Sequence, residues 1–114
     1  MTADDFRRLA LSLPEAVEQS HMGHPDFRVS GKIFAGLDTV GRRAVVKLGP
    51  DQQEMLMAAE PAIFTPAAGA WGAKGWTHLT LAAADEATAR SALGMAWRNT
   101  APPKLAAALG EGRP

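Results

Sequence analysis

The chain has 114 residues, 46% of them apolar and 21% charged, proportions ordinary for one globular domain around one hydrophobic core. It contains no cysteine, which excludes a disulfide framework, thiolate metal sites and a thiol nucleophile. Twelve Lys and Arg balance twelve Asp and Glu, so the charge of the whole molecule exerts no pull toward nucleic acid.

The spacing predicts a first helix over Ala3 to Ser12. Thr2 serves as its N-cap, Asp4 and Asp5 sit in the first turn where the helix dipole favours acids, and Pro14 stops it. Phe6, Leu9, Ala10 and Leu13 recur at i, i+3, i+4 and i+7, the spacing of a buried helical stripe. From Ala16 to Leu48 the pattern changes to short alternations. A weakly patterned strand is expected near Ala16 to Ser20; Phe27 and Val29, then Ile33, Ala35 and Leu37, then Ala44, Val46 and Leu48 each mark one face of a strand. Ser30-Gly31 joins the first two of these runs. A two-residue turn would set Phe27 opposite Phe34, and a three-residue loop with Gly31 at positive φ would set it opposite Ile33. The three-residue loop is preferred, because it gathers Phe27, Ile33 and Ala35 on one core face. Asp38-Thr39-Val40-Gly41 is the next expected turn.

A second helix opens at Gly49-Pro50, with proline at the first helical position and Met55, Leu56 and Ala59 as its apolar side; Pro61 ends it. Residues 61–75, with three glycines and two prolines around Trp71, read as a loop. Trp76 to Leu81 alternates again, with Thr77, Leu79 and Leu81 inward and Trp76, His78 and Thr80 outward. Asp85 caps a third helix with Ala89, Leu93, Ala96 and Trp97 as its stripe, and Gly94 within it suggests close packing. Pro102-Pro103 precedes a short final helix ending near Leu109. Short consecutive strands with tight turns imply an α+β fold: a small antiparallel sheet with helices packed on one face. One domain is expected over 1–109, with a flexible tail at 110–114. No run of 18 apolar residues is present, so no membrane span is expected. No charged-then-apolar leader opens the chain, so the expected location is cytoplasmic.

Charge is unevenly distributed. Between Phe27 and Pro50 there are five basic residues, Arg28, Lys32, Arg42, Arg43 and Lys47, against one acid, Asp38. By the preferred register Arg28, Lys32 and Phe34 point outward, as do Arg43, Val45 and Lys47 on the following strand and Trp76 and His78 on theirs. Cations interleaved with aromatics suit nucleic acid, the cations meeting phosphates and the rings stacking on bases. The plainer reading is a solvated face whose lysines and arginines protect strand edges. Ser20-His21-Met22-Gly23-His24-Pro25 reads as a turn: a metal needs a third or fourth ligand, and adjacency in sequence does not make a catalytic triad. Gly69-Ala70-Trp71-Gly72-Ala73-Lys74-Gly75-Trp76 permits close backbone approach, and Lys74 could meet a phosphate, but it matches neither phosphate-loop nor dinucleotide patterns.

Leu13-Pro14, Gly23-His24-Pro25-Asp26-Phe27-Arg28-Val29 and Gly31-Lys32-Ile33-Phe34-Ala35 resemble the MmcQ/YjbR family. So do Lys47-Leu48 before a proline-started helix, Gly69-Ala70-Trp71-Gly72, Gly75-Trp76-Thr77, and Ala96-Trp97-Arg98 followed by Ala101-Pro102. The resemblance runs from the first helix to about Leu105. Position 49, often Ser in relatives, is Gly here. The resemblance implies a frataxin-like (CyaY-like) fold and a non-catalytic, double-wing DNA-binding protein with no cofactor, no metal and no established catalytic residues. Lys32 and Lys47 match family positions. The expected partner is DNA, gripped by Arg28, Lys32, Arg42, Arg43, Lys47 and Lys74 with Phe34, Trp76 and His78 against sugars or bases, and a monomer is expected. The alternative is a small-molecule or peptide binder that uses the groove beside Trp71 and Trp76.

Overall fold

A computed structural model describes residues 1–38, 40 and 42–111. Six antiparallel strands form one sheet in the order β1-β2-β3-β4-β6-β5: β1 Val17–His21, β2 His24–Val29, β3 Lys32–Leu37, β4 Arg43–Lys47, β5 Phe64–Pro66 and β6 Trp76–Thr80. Helices α1 (Ala3–Leu11) and α4 (Glu86–Thr100) cover one face of it. α2 (Pro50–Ala59) packs beside β5, α3 (Gly69–Ala73) packs against β6, and α5 (Pro103–Glu111) follows α4. The α+β architecture with a single antiparallel sheet is the one the pattern of short strands implies. Residues 61–75 are not a plain loop: they hold β5 and α3. The last helix runs to Glu111 and so overlaps the start of the expected tail, whose residues 112–114 lie outside the described residues. Of the turn expected over 38–41, Thr39 and Gly41 lie outside them too.

The helices form where the capping signals place them. The Thr2 hydroxyl accepts from the Asp5 N–H while the Asp5 carboxylate accepts from the Thr2 N–H, the reciprocal pairing of a capping box. Asp85 caps α4 by accepting from the Thr88 N–H at 2.7 Å. At α2, Gly49 has no side chain to cap with. Instead the Gln52 side-chain oxygen accepts from the Gly49 N–H at 2.8 Å. Phe6, Leu9 and Ala10 from α1 meet Ala89, Ala92, Leu93, Ala96 and Trp97 from α4 over Phe27, Val29, Ala44, Val46 and Leu79. The buried Trp97 donates its indole N–H to the Pro14 carbonyl at 3.0 Å, which satisfies the one polar atom of the largest core side chain. On α2, Leu56 and Met57 turn inward while Met55 is exposed. Gly94 has no tight neighbour; its nearest is the Arg98 side chain at 3.7 Å.

The β2–β3 hairpin differs from the expected register. Ser30 and Gly31 both have positive φ, 51° and 80°, and Val29 pairs with Lys32, so the turn has two residues of the mirror-image kind that matches strand twist. Arg28 then pairs with Ile33, yet Phe27 pairs with Ala35. Phe34 is the extra residue of a β-bulge. The bulge lets Phe34 and Ala35 both turn into the core, each wholly buried, and leaves Ile33 beside Arg28 on the opposite face. The expected outward Phe34 and inward Ile33 are therefore both corrected. Lys32 is corrected with them: paired with the buried Val29, it has the parity of the helix-covered side and lines a hollow with Asn99, Thr100 and Pro102.

Truncating Phe34 tests this placement. Phe34→Ala is expected to lower unfolding stability by about 3–5 kcal/mol, measured by urea denaturation, where an exposed position would give changes within about 0.5 kcal/mol.

Candidate functional site

The face of the sheet away from α1 and α4 is floored by one row across five strands: Asp26, Gly36, Val45, His78 and Thr65 face one another in register. Gly36 lies in that row between Asp26 and Val45, buried and without a side chain. A Cβ there would stand 3.3 Å from the Pro25 carbonyl oxygen and 3.5 Å from Val45, so even one methyl group is crowded. The missing side chain leaves a groove of about 450 Å³ between Ile33, Val45, Trp71 and Trp76 on its apolar side and His24, Asp26 and His78 on its polar side.

Backbone packing holds the two tryptophans in place. Gly75, at φ 103°, sits so close to Leu48 that a Cβ would be 1.9 Å from its carbonyl oxygen. At Gly72 a Cβ would be 2.1 Å from the Ala67 carbonyl oxygen. Only glycine permits either approach. Gln53 of α2 reaches across and donates its side-chain amide to the Gly72 carbonyl at 3.0 Å, the Trp76 carbonyl at 3.2 Å and the Thr77 hydroxyl at 3.1 Å. The clamp stations Trp71 over Trp76, edge to face at 6.4 Å between centroids, although Trp71 itself is 64% exposed.

The electrostatics follow from a few contacts. Arg28 makes a two-pronged bond to the Asp26 carboxylate, at 2.8 and 3.1 Å, and Asp26 is 6% exposed. Lys47 Nζ lies 5.9 Å from the centroid of the Trp76 ring and Lys74 Nζ lies 5.6 Å from that of Trp71, both within cation–π range. Among the described residues neither lysine has a carboxylate within 4 Å. Asp38 accepts from the backbone N–H groups of Arg42 and Arg43. Burial and, after it, the positive charge of Arg43 hold His78 below the usual imidazole range.

Of the residues singled out from the sequence, Trp71, Trp76, His78, Lys47 and Lys74 come together around the groove, with Arg28 on the same face and Arg43 at its far end. Arg42 is exposed in a separate hollow with Met1, Val40 and Leu81. With Lys32 on the other side, Phe34 in the core and Arg28 bound to Asp26, the basic residues do not form one continuous stripe. Sequence reasoning did not single out Asp26, Ile33, Gly36, Val45 or Gln53. A lone glycine inside a strand was a usable signal for Gly36, since such a residue often marks close approach of a ligand or backbone.

A protein-family model described as YjbR matches residues 11–99. Among solved structures, the chain is similar to the crystal structure of Deinococcus radiodurans protein DR2400, a DUF419 domain, with a TM-score of 0.73 and 22% identity over 86% of this chain and 77% of that one. That likeness supports the fold. No curated protein matches.

His78 gives a pH prediction. Its folded-state pKa lies below the unfolded value, so the unfolded chain takes up the proton first as pH falls. The stability contributed by neutral His78 is complete above about pH 6.5 and declines as pH drops toward the folded midpoint. An NMR titration is expected to place the His78 midpoint below 6.5, and Arg43→Gln is expected to raise it; a midpoint at or above 6.5 contradicts the assignment.

Proposed function

The chain belongs to the YjbR family, and from that footing we propose that it is a binding module, not an enzyme, that takes a flat, largely apolar ligand into the groove over Gly36. The observation that carries this reading is Trp71. Its side chain is 64% exposed, yet the backbone that carries it is held by two obligatory glycines and a three-acceptor glutamine clamp. Ordering of that kind suits a rigid aromatic wall that removes little entropy when a ligand docks. The volume suits one or two fused rings, and apolar walls with few polar groups are the usual composition of small-molecule sites. A non-catalytic role is supported by Asp26, whose two carboxylate oxygens are both engaged by Arg28.

The test uses 2-naphthol as a neutral flat probe and the three indole N–H resonances as reporters. Trp71 and Trp76 are expected to shift with saturation while the buried Trp97 stays still, and Trp71→Ala is expected to weaken binding roughly three- to tenfold, the value of one aromatic contact. Absence of any shift, or an equal shift at Trp97, contradicts the groove.

A second reading, DNA binding, is favoured by a different observation: Lys47 and Lys74 each lie within 6 Å of a tryptophan ring, and Arg43 lies on the same face. Three such cations on phosphates predict an affinity that falls about 40-fold between 50 and 200 mM salt. Fluorescence anisotropy of a labelled 20-mer measures this, with the Lys47→Gln/Lys74→Gln double variant expected to flatten the slope. Binding that is unchanged in that variant removes this surface from consideration.

A further inference from the structure

We infer that the groove selects a flat aromatic ligand that carries a negative charge, with its ring against Trp71 and Trp76 and its anionic group at the rim near Lys47 and Lys74. This rests on the groove reading above and adds the charge class of the ligand. The chain is neutral overall, but its charges are segregated. On the groove face stand Arg28, Arg43, Lys47 and Lys74 against Asp26 and Asp38. Asp26 is matched by Arg28 at hydrogen-bond distance, and Asp38 is occupied by two backbone N–H groups. Arg43 lies with Asp38 at the far end of this face, so the positive charge at the tryptophan end is that of the two lysines, and neither has a carboxylate partner among the described residues.

The position of these lysines matters as much as their sign. Each ammonium lies over a ring that also walls or rims the groove. A ring stacked in the groove thus brings its substituents within a few ångströms of Lys47 or Lys74. At that range an unpaired surface charge discriminates between an anion and its neutral isostere by roughly three- to tenfold at low salt, and screening erodes the preference. Apolar walls alone do not distinguish the two. An aromatic carboxylate and a nucleotide share this chemistry, a flat ring with an anionic group, and the assay below separates them.

The experiment titrates the full chain with matched probes at 20 mM and 500 mM NaCl, following the Trp71 and Trp76 indole resonances with Trp97 as the folded-state control. The probes are 2-naphthoate, its neutral amide and the cationic 2-naphthylmethylamine, with dAMP against deoxyadenosine as a nucleotide pair. Tighter binding of the anion in at least one pair, narrowing at 500 mM salt and lost in Lys47→Gln/Lys74→Gln, is the expected result. It recurs in the first pair alone for an aromatic acid and in the second alone for a nucleotide. Equal affinity within both pairs overturns the charge assignment and leaves the groove standing. A preference that persists in the double variant overturns the role of the lysines. Failure of every probe to move either resonance overturns the groove and this inference together.

Discussion

Between Phe27 and Arg28 the paired strand advances by two residues instead of one, and the extra residue, Phe34, sets the parity of the sheet around it. Without the bulge, a two-residue Ser30-Gly31 turn would pair Phe27 with Phe34 and keep strict alternation along β3. With it, two successive side chains, Phe34 and Ala35, enter the core, and the residues on either side of them, Ile33 and Gly36, both belong to the open face. A bulky aromatic in the core then coincides with a bare glycine on the opposite side of the next-but-one position. The groove depends on that coincidence: it puts an apolar wall at Ile33 and a floor with no side chain at Gly36 in one short strand.

The second support comes from outside the sheet. The segment between α2 and β6 carries small residues and glycines, a composition with little intrinsic preference for order. It is ordered by close backbone packing. Gly75 lies against Leu48, Gly72 lies against Ala67, and Gln53 adds a second donor to the Gly72 and Trp76 carbonyls, which also accept from the Gly75 and Ala67 N–H groups. The Thr77 hydroxyl completes the arrangement by donating to the Gly75 carbonyl at 2.8 Å, so a buried polar side chain has partners on both sides. The result is that the backbone carrying an exposed tryptophan is packed against the strand and helix beside it. Bulge and clamp both shape the one groove.

How far the sequence foretold this depends on the range of the interactions concerned. The positions of α1, α2, α4 and α5, the Thr2 and Asp85 caps, the alternation of β6 and the outward placement of Arg43, Lys47, Trp76 and His78 follow from neighbours within a few residues, and all were legible. The β3 register was not. Turn length alone offered two registers, and the native one combines the shorter turn with a bulge that brings Ala35 into the core beside Phe34. The shorter turn carried Lys32, Ile33 and Phe34 to the faces opposite those expected, and the bulge returned Ala35 and Gly36 to theirs. Residues 61–75 were misjudged for a related reason: β5 exists because β6 is there to pair with it, and α3 because Gly72 can approach Ala67. Gln53 looked like one polar residue on an exposed helix, and its role is visible only once residues 72–77 lie beside it.

The charge of the open face has its origin in the helices. Acids are drawn to helix N-termini, where free N–H groups and the helix dipole stabilise them: Asp5 bonds within the α1 capping box, Asp85 caps α4, and Asp51 lies in the first turn of α2. Others near the helix-covered side are tied in ion pairs, Asp4 and Glu18 to Arg7, and Glu86 to Arg8 and Arg90. A neutral chain that places its carboxylates this way has fewer left for the uncovered side of its sheet. Asp26 is the acid that does lie in the groove, and it is held by Arg28 at a distance that cancels both charges locally. The cationic rim at Lys47 and Lys74 is thus the electrostatic complement of how the helices are capped, and substitutions at remote helix starts act on it only through stability, because the Debye length at physiological salt is about 8 Å.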